Sequence, residues 1–170
     1  MKRIVSISLG SSQRDHRAEV EVLGEKVVIQ RIGADGDMKR AIGLFKELDG
    51  KVDAFGLGGI DLYLVAGKKR YTVRDAQRLV QAVKKTPIVD GSGLKDTLER
   101  RVIQELQAGG LSLADKKVLM VSAVDRFGMA EAVTEAGCRV IFGDLIFALG
   151  VPIRITSLNT LRLVAYTLLP

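Results

Sequence analysis

Five turns in this sequence combine glycine with aspartate, serine, lysine or arginine, the residue types that hold a polar ligand or move a proton. They are Gly10-Ser11-Ser12-Gln13-Arg14-Asp15, Gly33-Ala34-Asp35-Gly36-Asp37, Gly56-Leu57-Gly58-Gly59-Ile60-Asp61, Asp90-Gly91-Ser92-Gly93-Leu94-Lys95 and Ser122-Ala123-Val124-Asp125-Arg126-Phe127-Gly128. In the fourth, Gly91 and Gly93 admit a close backbone approach, Ser92 adds a hydroxyl, and a helix starting near Leu94 would aim free N–H groups at an anion that Lys95 neutralises. A tight turn in which Asp90 or Ser92 only caps the helix, with Lys95 solvated, fits the same residues. Asp61, beside Gly58 and Gly59, reads either as a general acid or base or as the end of a strand. His16 stands among charges and reads as surface, and Cys138 as a small buried apolar residue.

The fifth turn sits between an apolar stretch, 118–122, and a helical one closed by Gly137, after which a second strand, 139–142, leads to Asp144. That order is the one of a dinucleotide-binding β–α–β unit, in which an acidic residue about 20 positions after the loop accepts hydrogen bonds from a ribose. Gly128 supplies the third glycine of G-x-G-x-x-G, while Ala123 and Asp125 occupy the first two positions. A cofactor here would rest on Ser122, Asp125, Arg126, Gly128 and Asp144, with Arg126 supplying charge; a plain α/β unit is the other reading.

The elements that must position these turns follow from periodicity. Short stretches rich in Val, Ile and Leu at 3–9, 26–32, 52–57, 87–89, 118–122 and 139–142 predict strands. Helical spacing predicts helices over 37–48, 74–85, 94–106 and 129–136. Strands alternating with helices imply an α/β fold with a largely parallel sheet covered by helices, and a Rossmann-like β–α–β unit in the C-terminal third. Two hairpin patterns, turning at Leu23-Gly24-Glu25 and Ala66-Gly67-Lys68, would make the sheet mixed. Gln107-Ala108-Gly109-Gly110-Leu111-Ser112 reads as a linker between an N-terminal lobe, 1–108, and a second segment, 113–170, or as a turn within one compact domain. The apolar stretches 145–152 and 158–169 need cover, from the core, from a partner subunit in a homo-oligomer, or from chain beyond this sequence.

Composition narrows the chemistry. One cysteine and one histidine exclude an intramolecular disulfide and any cluster built from cysteines or histidines. With no apolar run of membrane-spanning length and no signal-like start, a cytoplasmic location and no membrane partner are expected. The net charge of +6 is spread in pairs such as Lys84-Lys85 and Lys116-Lys117 among acids, which describes a solvated surface and not a nucleic-acid groove.

Several segments together resemble a bacterial group catalogued as quinate dehydrogenase: Ser8-Leu9-Gly10-Ser11-Ser12 with Arg14-Asp15-His16, the stretches 56–64 and 87–95, Val121 through Glu131, and Phe142-Gly143-Asp144-Leu145-Ile146-Phe147-Ala148. The resemblance implies NAD-linked oxidation of a ring hydroxyl of quinate or a similar polyhydroxylated acid, with a lysine and an aspartate orienting and deprotonating that hydroxyl. Lys95 with Asp61 or Asp90 is the expected pair by residue type. A non-catalytic module binding a small anion or nucleotide at Gly91, Ser92 and Gly93 is the alternative expectation.

Overall fold

The computed structural model describes residues 1–66 and 69–168. Its strands in chain order are β1 (Lys2–Ser8), β2 (His16–Val22), β3 (Glu25–Gly33), β4 (Ala54–Gly58), β5 (Tyr63–Ala66), β6 (Lys69–Thr72), β7 (Ile88–Val89), β8 (Lys117–Met120) and β9 (Arg139–Phe142). The helices are α1 (Met38–Leu48), α2 (Arg74–Gln81), α3 (Ser92–Ala108), α4 (Phe127–Glu135), α5 (Asp144–Leu149) and α6 (Leu158–Leu168). Among the described residues no helix is long and apolar enough to cross a membrane. The chain forms two units, Met1–Leu62 with Thr72–Gly91, and Tyr63–Tyr71 with Ser92–Pro170.

The first unit is built on a five-stranded mixed sheet in the order β2-β3-β1-β4-β7. β1 pairs in parallel with β3 and β4, β4 in parallel with β7, and β2 antiparallel with β3. The β2–β3 hairpin turns at Leu23 and Gly24, both with positive φ, which suits the right-handed twist of the strands it joins. The second expected hairpin turn falls at 66–68, where residues 67 and 68 lie outside the described residues. Val5, Ile7, Phe55 and Leu57 on the strands pack with Ala41 and Phe45 of α1 and Ala76 and Leu79 of α2. Phe45 and Phe55 meet edge to face at 5.1 Å.

Asp37 caps α1 through the N–H groups of Lys39 and Arg40. α2 stops at Gln81 and does not run to Lys85 as periodicity predicts. The cause is tertiary: the Asp49 carboxylate accepts the N–H groups of Lys84, Lys85 and Thr86 and draws them out of the helical path. Partial desolvation pushes the Asp49 carboxyl up, but these N–H bonds outweigh it and hold it down at about 2. A carboxyl lowered from 3.8 to about 2 adds stability that is complete above 3.8 and lost as the pH falls through 2. Acid unfolding followed by circular dichroism should therefore lose a component in that window, and Asp49→Asn should remove it.

In the second unit β8 and β9 pair in parallel across α4, a β–α–β unit whose sheet has two strands among the described residues. β5 and β6 form a separate two-stranded sheet. The core joins Met120, Phe127, Val133, Val140 and Phe142 to Ile155, Leu161 and Ala165, so the apolar C-terminal stretch is partly covered by its own unit. Phe147, Leu149, Ile153 and Leu163 stay exposed.

The expected linker at 107–112 is a helix stop. Gly110 takes a positive φ, its N–H bonds to the Gln107 carbonyl, and the Leu111 N–H bonds to the Leu106 carbonyl, a Schellman closure of α3. α3 belongs wholly to the second unit, and the division falls between Gly91 and Ser92.

Candidate functional site

The site grows from the chain's need to end β9 and start α5 in two residues. Gly143 makes this possible: its N–H bonds to the Met120 carbonyl at 2.7 Å, and the Phe147 ring lies where a Cβ would be, 2.5 Å away. Asp144 then opens α5 with its carboxylate turned toward the β8–α4 loop. Oδ1 accepts the N–H groups of both Ala123 and Val124 at 2.9 Å. The side chain is buried, the residue being 8% exposed, and among the described residues Oδ2 has no hydrogen-bond partner. A buried carboxylate oxygen without a donor is costly, on the order of 1–3 kcal/mol or more. Asp144 lines a cleft whose other polar residues are Ser122 and Asp125 and whose walls include Leu64, Val124, Leu145, Ala148 and Val164.

Asp125 also lines a second, smaller cleft with Tyr63, Ser92, Lys95 and Gly128. There Lys95 Nζ lies 2.7 Å from Asp125 Oδ1, and both side chains are mostly buried. Such a pair holds a proton donor and an acceptor side by side, the arrangement needed to orient and deprotonate a hydroxyl. It also continues a series of ion pairs that fasten α3 to the loop and to α4: Glu99 with Arg126, and Arg100 with Glu131 at 2.7 Å. Glu131 accepts from Arg162 of α6 as well, at 2.8 Å. Burial pushes the Glu131 carboxyl up, but the two guanidiniums outweigh it and hold it below the usual range.

Of the expected site residues, Ser92, Lys95, Ser122, Asp125, Gly128 and Asp144 gather at these two clefts. Asp61, Asp90 and Gly91 belong to the first unit, where Asp90 Oδ2 accepts the Leu62 N–H at 2.7 Å. Lys95 meets Asp125, an aspartate that was not among the pairings expected for it. Ser92 and Gly93 lie inside the first turn of α3 and do not form a loop ahead of it. Arg126 is engaged by Glu99. Sequence reasoning missed Glu99 and Glu131; their only signal is a run of opposite charges, in Glu99-Arg100-Arg101 and Arg126 with Glu131, that no local spacing connects.

The family comparisons divide the chain near the fold's boundary at Gly91 and Ser92, although Tyr63–Tyr71 of the second unit falls within the first match. Residues 3–90 match the model of a family described as a domain of unknown function (DUF8753), and residues 93–170 that of a second, DUF8754. No curated protein and no solved structure matches the chain.

Proposed function

The chain belongs to the family described as a domain of unknown function (DUF8753), and we propose that the unit following that domain binds a small hydroxylated molecule with an apolar face. Its hydroxyl would donate to Asp144. The observation that carries this reading is the buried Oδ2 of Asp144, without a partner among the described residues, in a residue that lines a largely apolar cleft. A ring polyol or a ribose has the matching chemistry, hydroxyls on one edge and C–H groups on the faces, and an O–H···O⁻ bond in a dry cleft is among the strong ones. Calorimetry of the full chain against quinate, shikimate, ribose and NAD tests it. Binding of at least one is expected, and silence from all four at millimolar concentration would sink the reading.

A second reading is an NAD-linked oxidoreductase acting on a ring hydroxyl of quinate or a similar acid, with β8, α4 and β9 as a Rossmann-like unit. The Lys95–Asp125 pair favours it, because a lysine and an aspartate in contact are what the resemblance to quinate dehydrogenases implies. The residues present fit the ribose of such a cofactor and do not fit its pyrophosphate. The Ala123 and Val124 amides are taken by Asp144, Asp125 adds negative charge, and Arg126 is committed to Glu99. An absorbance assay for NADH with quinate and shikimate decides this reading; no turnover with either NAD or NADP would remove it.

A further inference from the structure

We infer that the first unit carries a binding site of its own, for a small oxyanion held by Ser8, Arg14 and Arg31 above Gly10. The site lies at the carboxyl ends of the parallel strands. β1 stands between β3 and β4, and the chain leaves β1 toward the β3 side and β4 toward β7, the kind of switch point at which open α/β sheets bind ligands.

Ser8 is the first indication. It is only 4% exposed, and its Oγ accepts from the Gly10 N–H at 3.1 Å and from Arg31 Nη2 at 3.0 Å. A hydroxyl has two lone pairs and one hydrogen. With both lone pairs engaged, the hydrogen of Ser8 must be donated, and among the described residues it has no acceptor. Buried donors of this kind find a partner in nearly every native structure.

The second indication is the convergence of two cations on that hydroxyl. Arg14 Nη2, Arg31 Nη2 and Ser8 Oγ lie 2.6, 3.1 and 3.3 Å from the point a Cβ on Gly10 would occupy. Arg31 is shared with Asp15, whose Oδ1 also accepts the Gly33 N–H at 2.6 Å. Arg14 is exposed and has no carboxylate partner among the described residues. Gly59 keeps side-chain bulk away: a Cβ there would come within 2.9 Å of the Gly10 nitrogen. Two guanidiniums and a hydroxyl donor grouped beside one glycine, with only Arg31 paired to a carboxylate among the described residues, suit a ligand with two or more charged oxygens, a phosphate or a carboxylate.

Calorimetry of the full chain with inorganic phosphate and, separately, acetate at constant ionic strength tests the site. One-site binding of either is expected, and which anion binds more tightly names the source as phosphoryl or carboxylate. Arg14→Ala should weaken it roughly tenfold or more, the scale of a lost charge-assisted bond. Gly10→Ala should do the same without changing any charge, because its Cβ displaces the flexible end of Arg14. If Gly10→Ala lowers Tm, Arg14→Lys takes its place, retaining the charge without the fork, and weaker binding is again expected. Failure of both anions to bind the parent chain, or unchanged affinity in these variants, would overturn the inference.

Discussion

Replacing Asp144 with asparagine is expected to leave stability within about 1 kcal/mol of the parent and to weaken the cleft ligand tenfold or more. Asparagine retains an acceptor for the Ala123 and Val124 N–H groups but puts an NH₂ donor where Oδ2 stood. The weaker neutral acceptor costs stability, and the removal of an uncompensated buried charge returns it. Alanine should behave differently. It orphans both amides, each bond to a charged acceptor being worth about 1.5–3 kcal/mol, while relieving the unpaired oxygen, so a net loss of about 2 kcal/mol is expected. Urea unfolding of the two variants separates the effects. Equal losses would mean that Oδ1 does not hold the loop as described.

Gly33→Ala should be among the most destabilising single changes in the first unit, costing about 3 kcal/mol or more. A Cβ there would lie 2.5 Å from the Ser12 nitrogen and 2.6 Å from the Ser11 carbonyl carbon and oxygen, all backbone atoms. That backbone cannot give way, because Arg31 holds the Ser11 carbonyl at 2.9 Å and Asp35 holds the Ser12 N–H at 2.6 Å. Gly43 is the internal control. It sits in α1 with nothing within 4 Å of its would-be Cβ, so Gly43→Ala should stabilise by about 0.5–1 kcal/mol. Urea midpoints moving in opposite directions would bear out both statements, and a Gly33→Ala chain as stable as the parent would refute the first.

Much of the architecture was legible because it is local. The apolar residues at 38, 41, 42, 45 and 48 lie on the buried side of α1, and the hairpin turned at Leu23-Gly24 as its composition indicates. The β8–α4–β9 order was legible for the same reason. The errors share a cause, which is that contacts far apart in sequence decide them. α2 ends early because Asp49, some 35 residues upstream, binds the backbone beyond it. Gly109-Gly110 looked like a linker because glycine marks helix stops and linkers alike; only the bond from Leu111 to Leu106 separates them.

The candidate site divides along the same line. Asp144 stood out in the sequence by its distance from the loop, but the role the structure gives it, fastening Ala123 and Val124, depends on a turn geometry that spacing does not encode. Lys95 was identifiable as a reactive type, but its contact with Asp125 was not, because the two lie 30 residues apart. The Ser8, Arg14 and Arg31 cluster left no local pattern at all. β2 and its turns intervene between Ser8 and Arg31, and the pairing of β1 with β3 sets Ser8 opposite Gly33, two residues beyond Arg31.

The most direct test of the account is the carbon-13 carboxyl resonance of Asp144, recorded with the amide signals of Ala123 and Val124 while quinate, shikimate, ribose and NAD are added in turn. At least one of them is expected to shift the Asp144 carboxyl saturably, with the two amides still bonded to Oδ1. An Asp144 resonance left unmoved by all four at millimolar concentration would contradict it.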